Sequence, residues 1–498
     1  MELRQYQIHM VREFEHLVGR GEREILIVAP TGSGKTVIAS AINHGADRRA
    51  LVVAHRREIV NQTSAKLTAF DVHHGIIQAG DENKLRPLAR VQVASIQTLH
   101  ARAIRAETML MPLADLIIID EAHHACARTY KAVIERYPNA IVLGLTATPC
   151  RGDGRGLGGI FTTMLQCPQV AELIDAGHLV KSRVYAPVDP DLQGVQTRSG
   201  DYVESQLEER MNHDKLVGDI VTHWLKYGER RRTVAFACGV GHSVHITNEF
   251  QLAGIRAEHL DGATPKPERD AVLARLASGE TEVVCNCMVL TEGWDMPEVG
   301  CAILARPTKK MGLFRQMIGR VLRPADGKAD AIILDHSGAV FRHGMPEDRV
   351  DWTLDPDRRA TAPEHQKRLD SGQHKGGLLE CSACGALRLG GKPCPACGLL
   401  PKRPAEFIAS ANGELGLVEH GRARRTVYEQ QEKVRWHSML AGVAAERGYK
   451  FGWVAYKYRE KFGHWPPSNS VAPMPASPEV LSWVRSRNIA FAKRRAVA

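Results

Sequence analysis

Short apolar runs rich in β-branched residues, each ending in a loop of Gly, Thr or Asp, recur along the first two thirds of this chain and limit what it can fold into. Four of them span 24–29, 50–54, 116–119 and 140–143, and each is followed by a stretch that can be helical. A run that is apolar at every position is a strand buried on both faces, and alternation with helices makes the sheet parallel and helix-covered. A second series follows at 233–237, 282–285, 300–304 and 331–334. The expected fold class is α/β, with two tandem parallel-sheet domains over residues 1–168 and 169–340.

Composition narrows the rest. At 498 residues, a norm of roughly 150 per domain predicts about three domains. Hydrophobic residues at 44% and charged residues at 24% are ordinary for a globular protein and exclude disorder along most of the chain. No run approaches the ~18 apolar residues of a membrane span, and the charged start MELRQYQIHMVREFEH lacks the apolar core of a secretory signal. A cytoplasmic protein with no membrane partner is expected. Charge is unevenly placed: residues 1–373 hold 46 basic and 47 acidic side chains, and residues 374–498 hold 20 and 9. The whole positive excess is C-terminal, which suits a polyanion such as nucleic acid, or else a merely solvated basic surface. From 341 to 377 the strand runs stop, and Pro346, Pro356 and Pro363 punctuate what reads as a linker or loosely packed extension. A cysteine cluster over 378–400 comes next. The remainder, 401–498, is a basic, mainly helical region with a helix expected from about Pro478 to Ala492.

The first strand runs into Ala29-Pro30-Thr31-Gly32-Ser33-Gly34-Lys35-Thr36 and then a helical pattern. Glycines let backbone N–H groups converge on phosphate oxygens, the helix N-terminus adds partial positive charge, Lys35 reaches the terminal phosphates and the Thr36 hydroxyl suits Mg²⁺. This pattern predicts an ATP-type phosphate loop rather than a chance glycine turn. The third run ends in Asp120-Glu121-Ala122-His123, with its acids at the crevice end of a strand. Alone, such a pair would be a helix cap; downstream of a phosphate loop, Asp120 is expected to hold Mg²⁺ and Glu121 to polarise the attacking water. In the second domain, Arg320 and Arg323 are three apart, a spacing expected to put them on one helix face from which they can reach transition-state charge across a cleft.

These pieces, in this order, resemble a superfamily 2 helicase core with a DEAH box over residues 3–340, which implies two RecA-like domains. Leu3-Arg4-Gln5-Tyr6-Gln7 is similar to the adenine-reading Q motif, so Arg4 and Gln7 are expected at the nucleotide. The segments 54–58, with His55 and Arg56, and 93–98, with Gln97 and Thr98, resemble strand-contacting motifs. The 145–149 segment, with Thr146 and Thr148, resembles the motif coupling hydrolysis to nucleic-acid binding, and carries TAT where SAT is more usual. The stretches 291–297 and 316–323 resemble the last two core motifs. The resemblance implies strand contact by Thr291, coupling by Gln316, placement of the ribose or the arginines by Asp295, and approach of Arg320 and Arg323 to the γ-phosphate.

Cys381-Ser-Ala-Cys384-Gly and Cys394-Pro-Ala-Cys397-Gly are two C-x-x-C knuckles with nine residues between them. Four thiolates at this spacing satisfy tetrahedral Zn²⁺ in a closed, structural site, with a redox dithiol or disulfide pair as the competing reading. Farther on, aromatics interleave with Lys450, Lys457, Arg459 and Lys461. Bases stack on aromatic faces while cations hold phosphates, yet Trp453, Tyr456 and Phe462 also make a helical core. The expectation is a mixture in which the rings pack while Lys457 and Arg459 face a strand. Ribbon and basic tail together resemble bacterial RadD-like repair proteins and their phage-borne relatives. That likeness implies single-stranded or junction-containing DNA, with a single-strand-binding protein or recombinase as partner. The expected activity is DNA-stimulated ATP hydrolysis in a repair or recombination helicase or translocase, against an RNA-directed helicase or a non-motor binding module switched by ATP.

Overall fold

A computed structural model describes residues 3–45, 47–186, 190–400, 430–462, 464–467, 471–484 and 487. The chain divides into two compact units, residues 1–406 and 407–498. The larger unit contains two lobes. In the first, strands β1 (Glu24–Val28), β2 (Ala50–Ala54), β3 (His74–Ile77), β4 (Val91–Ser95), β5 (Leu116–Asp120), β6 (Ile141–Thr146) and β7 (Thr163–Gln166) form one sheet. Its order is β3-β4-β2-β5-β6-β1-β7, and every neighbouring pair is parallel. The second lobe begins with β8 (Lys181–Tyr185) and a small antiparallel pair, β9 (Thr197–Arg198) and β10 (Asp201–Tyr202). Strands β11 (Thr233–Phe236), β12 (Ala257–Leu260), β13 (Val283–Asn286), β14 (Cys301–Leu304) and β15 (Asp330–Asp335) complete its sheet in the order β12-β13-β11-β14-β15-β8, again all parallel.

Alternation along each strand explains the two-sided cores. Ile25 and Ile27 of β1 enter one apolar layer while Leu26 and Val28 enter the layer on the opposite face. Strand side chains point to alternate faces, and burying each of these costs nothing on either side only if helices cover both. Burial at this level is worth about 1.5–3 kcal/mol per aliphatic side chain. Because the strands are parallel, their carboxyl ends share one edge, and the loops after β1, β5 and β6 open into a common crevice. Those loops carry the phosphate loop, the acidic pair and Thr146–Thr148.

The segment expected to be a linker, 341–377, is instead packed, and this corrects the sequence reading. Gly158 and Gly156 donate their amides to the carbonyls of Leu354 and Asp355 at 2.6 and 3.2 Å. Val350 exchanges two 2.9 Å hydrogen bonds with the Gln169 carboxamide. Trp352 and Leu354 lie against the first lobe's core, while Arg315 of the second lobe donates to the carbonyls of Pro346 and Asp348. Its prolines punctuate a strap that returns from the second lobe to the first. A Cβ at Gly156 would sit 2.4 Å from the Leu354 backbone, so the strap can approach only over glycine.

The cysteine cluster is docked as well. Its strands β16 (Leu378–Glu380) and β17 (Leu387–Leu389) pair antiparallel, and Cys381, Ala386 and Cys394 share an apolar cluster with Tyr185 and Val217 of the second lobe. In the smaller unit, helices Gln430–Arg447 and Phe451–Phe462 pack together around Trp436, Leu440, Val454 and Tyr458. The helix expected from Pro478 is present over 478–484, and the rest of that expectation falls largely outside the described residues. Among the described residues, no helix is long and apolar enough to cross a membrane.

Candidate active site

The phosphate loop leaves β1 and ends at helix Lys35–Gly45. Gly32 and Gly34 hold φ of +88° and +86°, a region that L side chains enter only with strain. Space is equally restrictive. A Cβ on Gly32 would lie 3.0 Å from Arg323 Cγ and from Leu179, and one on Gly34 would lie 2.6 Å from Gln7 Nε2. Ser33 is buried, and its hydroxyl donates to the Pro30 carbonyl at 2.7 Å. Tyr6 and Gln7 both donate to the Ser33 carbonyl, Gln7 at 3.0 Å, and the Gln7 oxygen accepts the Arg4 amide at 3.0 Å. The Gln7 carboxamide is thus bonded at both ends to backbone, one of them in the phosphate loop.

At the end of β5, Glu121 takes the left-handed conformation, with φ of 51°, which turns the chain sharply after Asp120. Both carboxylates are buried. Lys35 Nζ lies 3.4 Å from Glu121 Oε1. Burial pushes the Asp120 carboxyl up from its ordinary value, and the Glu121 charge adds to that. Burial acts the same way on Glu121, but Lys35 and His123 outweigh it and hold that carboxyl low. A buried carboxylate short of countercharge, in one cleft with the Thr36 hydroxyl, is a hard-oxygen donor set that fits Mg²⁺.

The second lobe supplies the opposite wall. Arg320 is buried and donates to the backbone carbonyls of Thr291, at 2.8 and 3.1 Å, and Trp294, at 2.9 Å. Burial lowers its guanidinium to about 10. Arg323 pairs with Asp295, and its stem rests on Gly32. The helix Met311–Gly319 reaches the phosphate loop closely enough that a Cβ on Gly319 would lie 2.5 Å from Thr31 Cβ. The resulting cleft of about 380 Å³ gathers Arg4, Lys35, Thr36, Asp120, Glu121, Asp295, Arg320 and Arg323, drawn from both lobes.

Behind that cleft runs a connection the sequence reading missed. His123 bridges two carboxylates, with Nδ1 3.4 Å from Glu121 and Nε2 3.3 Å from Glu292 of the second lobe. Burial opposes charge on His123, but both carboxylates overcome it and raise the imidazole to about 9. Glu292 also meets His55 Nε2 at 2.9 Å, Arg56 Nε at 3.6 Å and His124 Nε2 at 3.8 Å. Arg56 further donates to the Val289 carbonyl at 3.1 Å, Gln62 to that of Gly293 at 2.9 Å, and Arg269 pairs with Glu58 at 3.0 Å. His55 and Arg56, expected to contact a strand, here bind the other lobe. The available signal was an acid inside the 291–297 stretch together with three histidines at the ends of β2 and β5.

The other expected residues are distributed around this connection. Gln97 donates to the His55 carbonyl at 2.9 Å, and Thr98 accepts the Ala79 amide at 3.2 Å. Thr291 is buried, with its hydroxyl on the Met288 carbonyl. Thr146 accepts the Thr148 amide at 3.1 Å and faces His123 Nδ1 at 3.4 Å. Thr148 lies against Gly312, on the same helix as buried Gln316. Lys457 and Arg459 belong to the separate smaller unit. Cys381, Cys384, Cys394 and Cys397 converge with all four sulfurs within 4.8 Å of one another, at 3.6 Å for Cys381–Cys397 and 3.7 Å for Cys384–Cys394. Zinc–sulfur arms of about 2.3 Å at tetrahedral angles require sulfurs about 3.8 Å apart. The amides of Ala383 and Cys384 also lower the Cys381 thiol. The cluster is able to hold zinc.

Comparison with known proteins agrees with this geometry. Residues 1–151 match the family described as type III restriction enzyme, res subunit, and residues 217–325 match the helicase conserved C-terminal domain. A 51.5 kDa protein of a Lactococcus phage is 31% identical over 87% of this chain and 92% of its own length. A yeast protein described as a putative ATP-dependent helicase, from Saccharomyces cerevisiae, is 31% identical over 68% of this chain and 52% of its own length. Among solved structures, a fragment of a putative HsdR subunit of a type I restriction enzyme from Vibrio vulnificus superposes with a TM-score of 0.54 at 22% identity, over 71% of this chain and 67% of that one. A type ISP restriction-modification enzyme bound to DNA gives 0.50 at 19% identity, over 67% and 27%.

Proposed function

The chain belongs to the superfamily 2 helicases, ATP-dependent nucleic-acid motors, and we propose that it is a DNA-stimulated ATP hydrolase working as a helicase or translocase in repair or recombination. Its track is single-stranded or junction-containing DNA in the cytoplasm, with a single-strand-binding protein or recombinase as the partner that the RadD-like architecture implies. The observation that carries this reading is the unbroken series of ion pairs Lys35–Glu121–His123–Glu292–His55. It joins the phosphate site to the second lobe and to a strand-contacting motif.

ATP lies between the lobes, its phosphates on the loop amides and Lys35. Thr36 and Asp120 would hold Mg²⁺, which when bound would supply countercharge to the phosphates. Glu121, ionised beside Lys35, accepts the proton of the attacking water as the bond to the β-phosphate breaks. Arg320 and Arg323 meet the charge that develops on the γ-phosphate. Loss of that phosphate removes the countercharge for Lys35, alters the pull on Glu121, and relaxes the His123–Glu292 bridge on which lobe closure and strand grip depend. The four cysteines would hold Zn²⁺ as a structural clamp on the second lobe. The proposal is tested by ATP turnover of zinc-loaded protein alone, with single-stranded DNA and with RNA of equal length at equal salt. DNA should accelerate turnover most. Equal and negligible rates in all three refute the motor, and stimulation by RNA alone refutes the choice of track.

A further inference from the structure

Helix Phe451–Phe462 presents two faces of opposite character. Val454, Tyr458 and Phe462, spaced by four, lie against Trp436 and Leu440 in the core of the smaller unit. On the other side Gly452, Tyr456 and Arg459 are exposed, and Tyr456 keeps 67% of its surface in solvent. Just beyond the helix, Trp465 is 49% exposed. Its ring stands edge-on to Tyr456 with centroids 5.2 Å apart, and the Arg459 guanidinium lies 4.6 Å from its centre. A Cβ on Gly452, one turn before Tyr456, would meet nothing within 4 Å, so the flank of that ring is open.

Two large rings left in water next to an available core call for a partner. An apolar protein groove is a poor match, because the Arg459 guanidinium lies over the Trp465 ring and residues 407–498 carry 15 Lys and Arg against 7 Asp and Glu. A partner with flat π faces and a regular negative charge satisfies both features. We propose that Tyr456, Trp465 and Arg459 form a base-stacking site for single-stranded DNA in the smaller unit. This rests on the reading of DNA as the motor's track and extends it: the motor carries its own tether. Lys457, whose amine is held by Glu460 at 2.7 Å, supports the helix surface more than it reaches outward.

The test uses full-length zinc-loaded protein and a labelled oligothymidine. Without nucleotide, Tyr456→Ala/Trp465→Ala should bind roughly 10- to 100-fold more weakly than wild type, as expected for two lost stacking contacts. The DNA concentration for half-maximal ATPase stimulation should rise by a similar factor, while DNA-free and maximal turnover stay unchanged. Tyr456→Phe/Trp465→Phe should retain affinity, since stacking needs a ring and not a hydroxyl or indole. If the alanine pair is unstable, quenching of Trp465 emission by oligothymidine, absent in Trp465→Phe, gives the same information. Affinity within twofold of wild type for the folded alanine pair overturns the site and reassigns the rings to a protein partner. A loss confined to oligouridine overturns it in favour of RNA. Absence of DNA stimulation in wild type would defeat the motor reading, and the nucleotide-free affinities would still decide this one.

Discussion

The cleft between the lobes and the surface of helix Phe451–Phe462 use charge in opposite ways. In the cleft and the connection behind it, Lys35, Glu121, His123, Glu292 and Arg323 are each paired within 3.5 Å, and Arg320 is tied to two backbone carbonyls. On the helix and just beyond it, Tyr456 and Trp465 are exposed and meet edge-on, and Arg459 is stacked on the Trp465 ring. A buried charge without a partner is costly, so a cleft built from charges must be a closed network in which one change is felt by all. An exposed aromatic–cationic patch can lose one member and keep the rest. On the proposed function, chemistry and coupling belong to the first region, and adjustable affinity to the second.

If that contrast is right, substitutions should differ in kind. The largest effect is expected for Glu121→Gln, which should cut ATP turnover by roughly 100- to 10,000-fold while nucleotide still binds; turnover within tenfold of wild type would remove Glu121 from the chemistry. Glu292→Gln should come next. Losing the charge shared by His55, His123 and Arg56 should lower the ratio of DNA-stimulated to DNA-free turnover by about tenfold, within the usual range of coupling energies. A smaller ATPase with an unchanged ratio would make Glu292 merely structural. Cys394→Ser should reduce bound zinc from about one equivalent to none and lower Tm by roughly 5–10 °C, because the ribbon's core is continuous with the second lobe. Undiminished Tm with the metal gone would detach ribbon from lobe. The smallest effect concerns pH. The folded-state value of His123, about 9 against an ordinary 6.5, contributes stability that is complete below pH 6.5 and is lost as pH rises through 9. Tm should fall by a few degrees across that window in wild type, and the slope should flatten in His123→Gln.

The sequence exposed the interior of this fold and hid its margins. The eight apolar runs correspond to β1, β2, β5, β6, β11, β13, β14 and β15, all of them flanked by strands on both sides. The interior strand β4 and the four edge strands β3, β7, β8 and β12 were not anticipated, β4 because Gln92 and Ser95 break its apolar run. The edge strands carry residues such as His74, Gln166, Arg183 and Glu258, as edges do when one side lacks a strand partner. The phosphate loop and acidic pair were legible because their geometry demands particular residues at adjacent positions. Glu292 was not, since its partners His55 and His123 lie far away in sequence and only folding joins them. The aromatic segment was half legible: rings and cations were evident, but spacing by four at Val454, Tyr458 and Phe462 selects Tyr458 for the core and leaves Tyr456 outside. The strap over 341–377 was misread because prolines and charges also suit a segment held by backbone hydrogen bonds and a few apolar side chains such as Trp352 and Leu354.

The central claim is that one triphosphate holds two lobes together and that its hydrolysis lets them part. Fluorophores on bio-orthogonal side chains at the exposed positions Glu135 of the first lobe and Gln251 of the second report the separation without disturbing the ribbon thiolates. In Glu121→Gln with ATP and single-stranded DNA, the distance should be short and persistent, whereas with the active enzyme it should lengthen as ADP accumulates. A distance identical with ATP, with ADP and with neither would contradict the account.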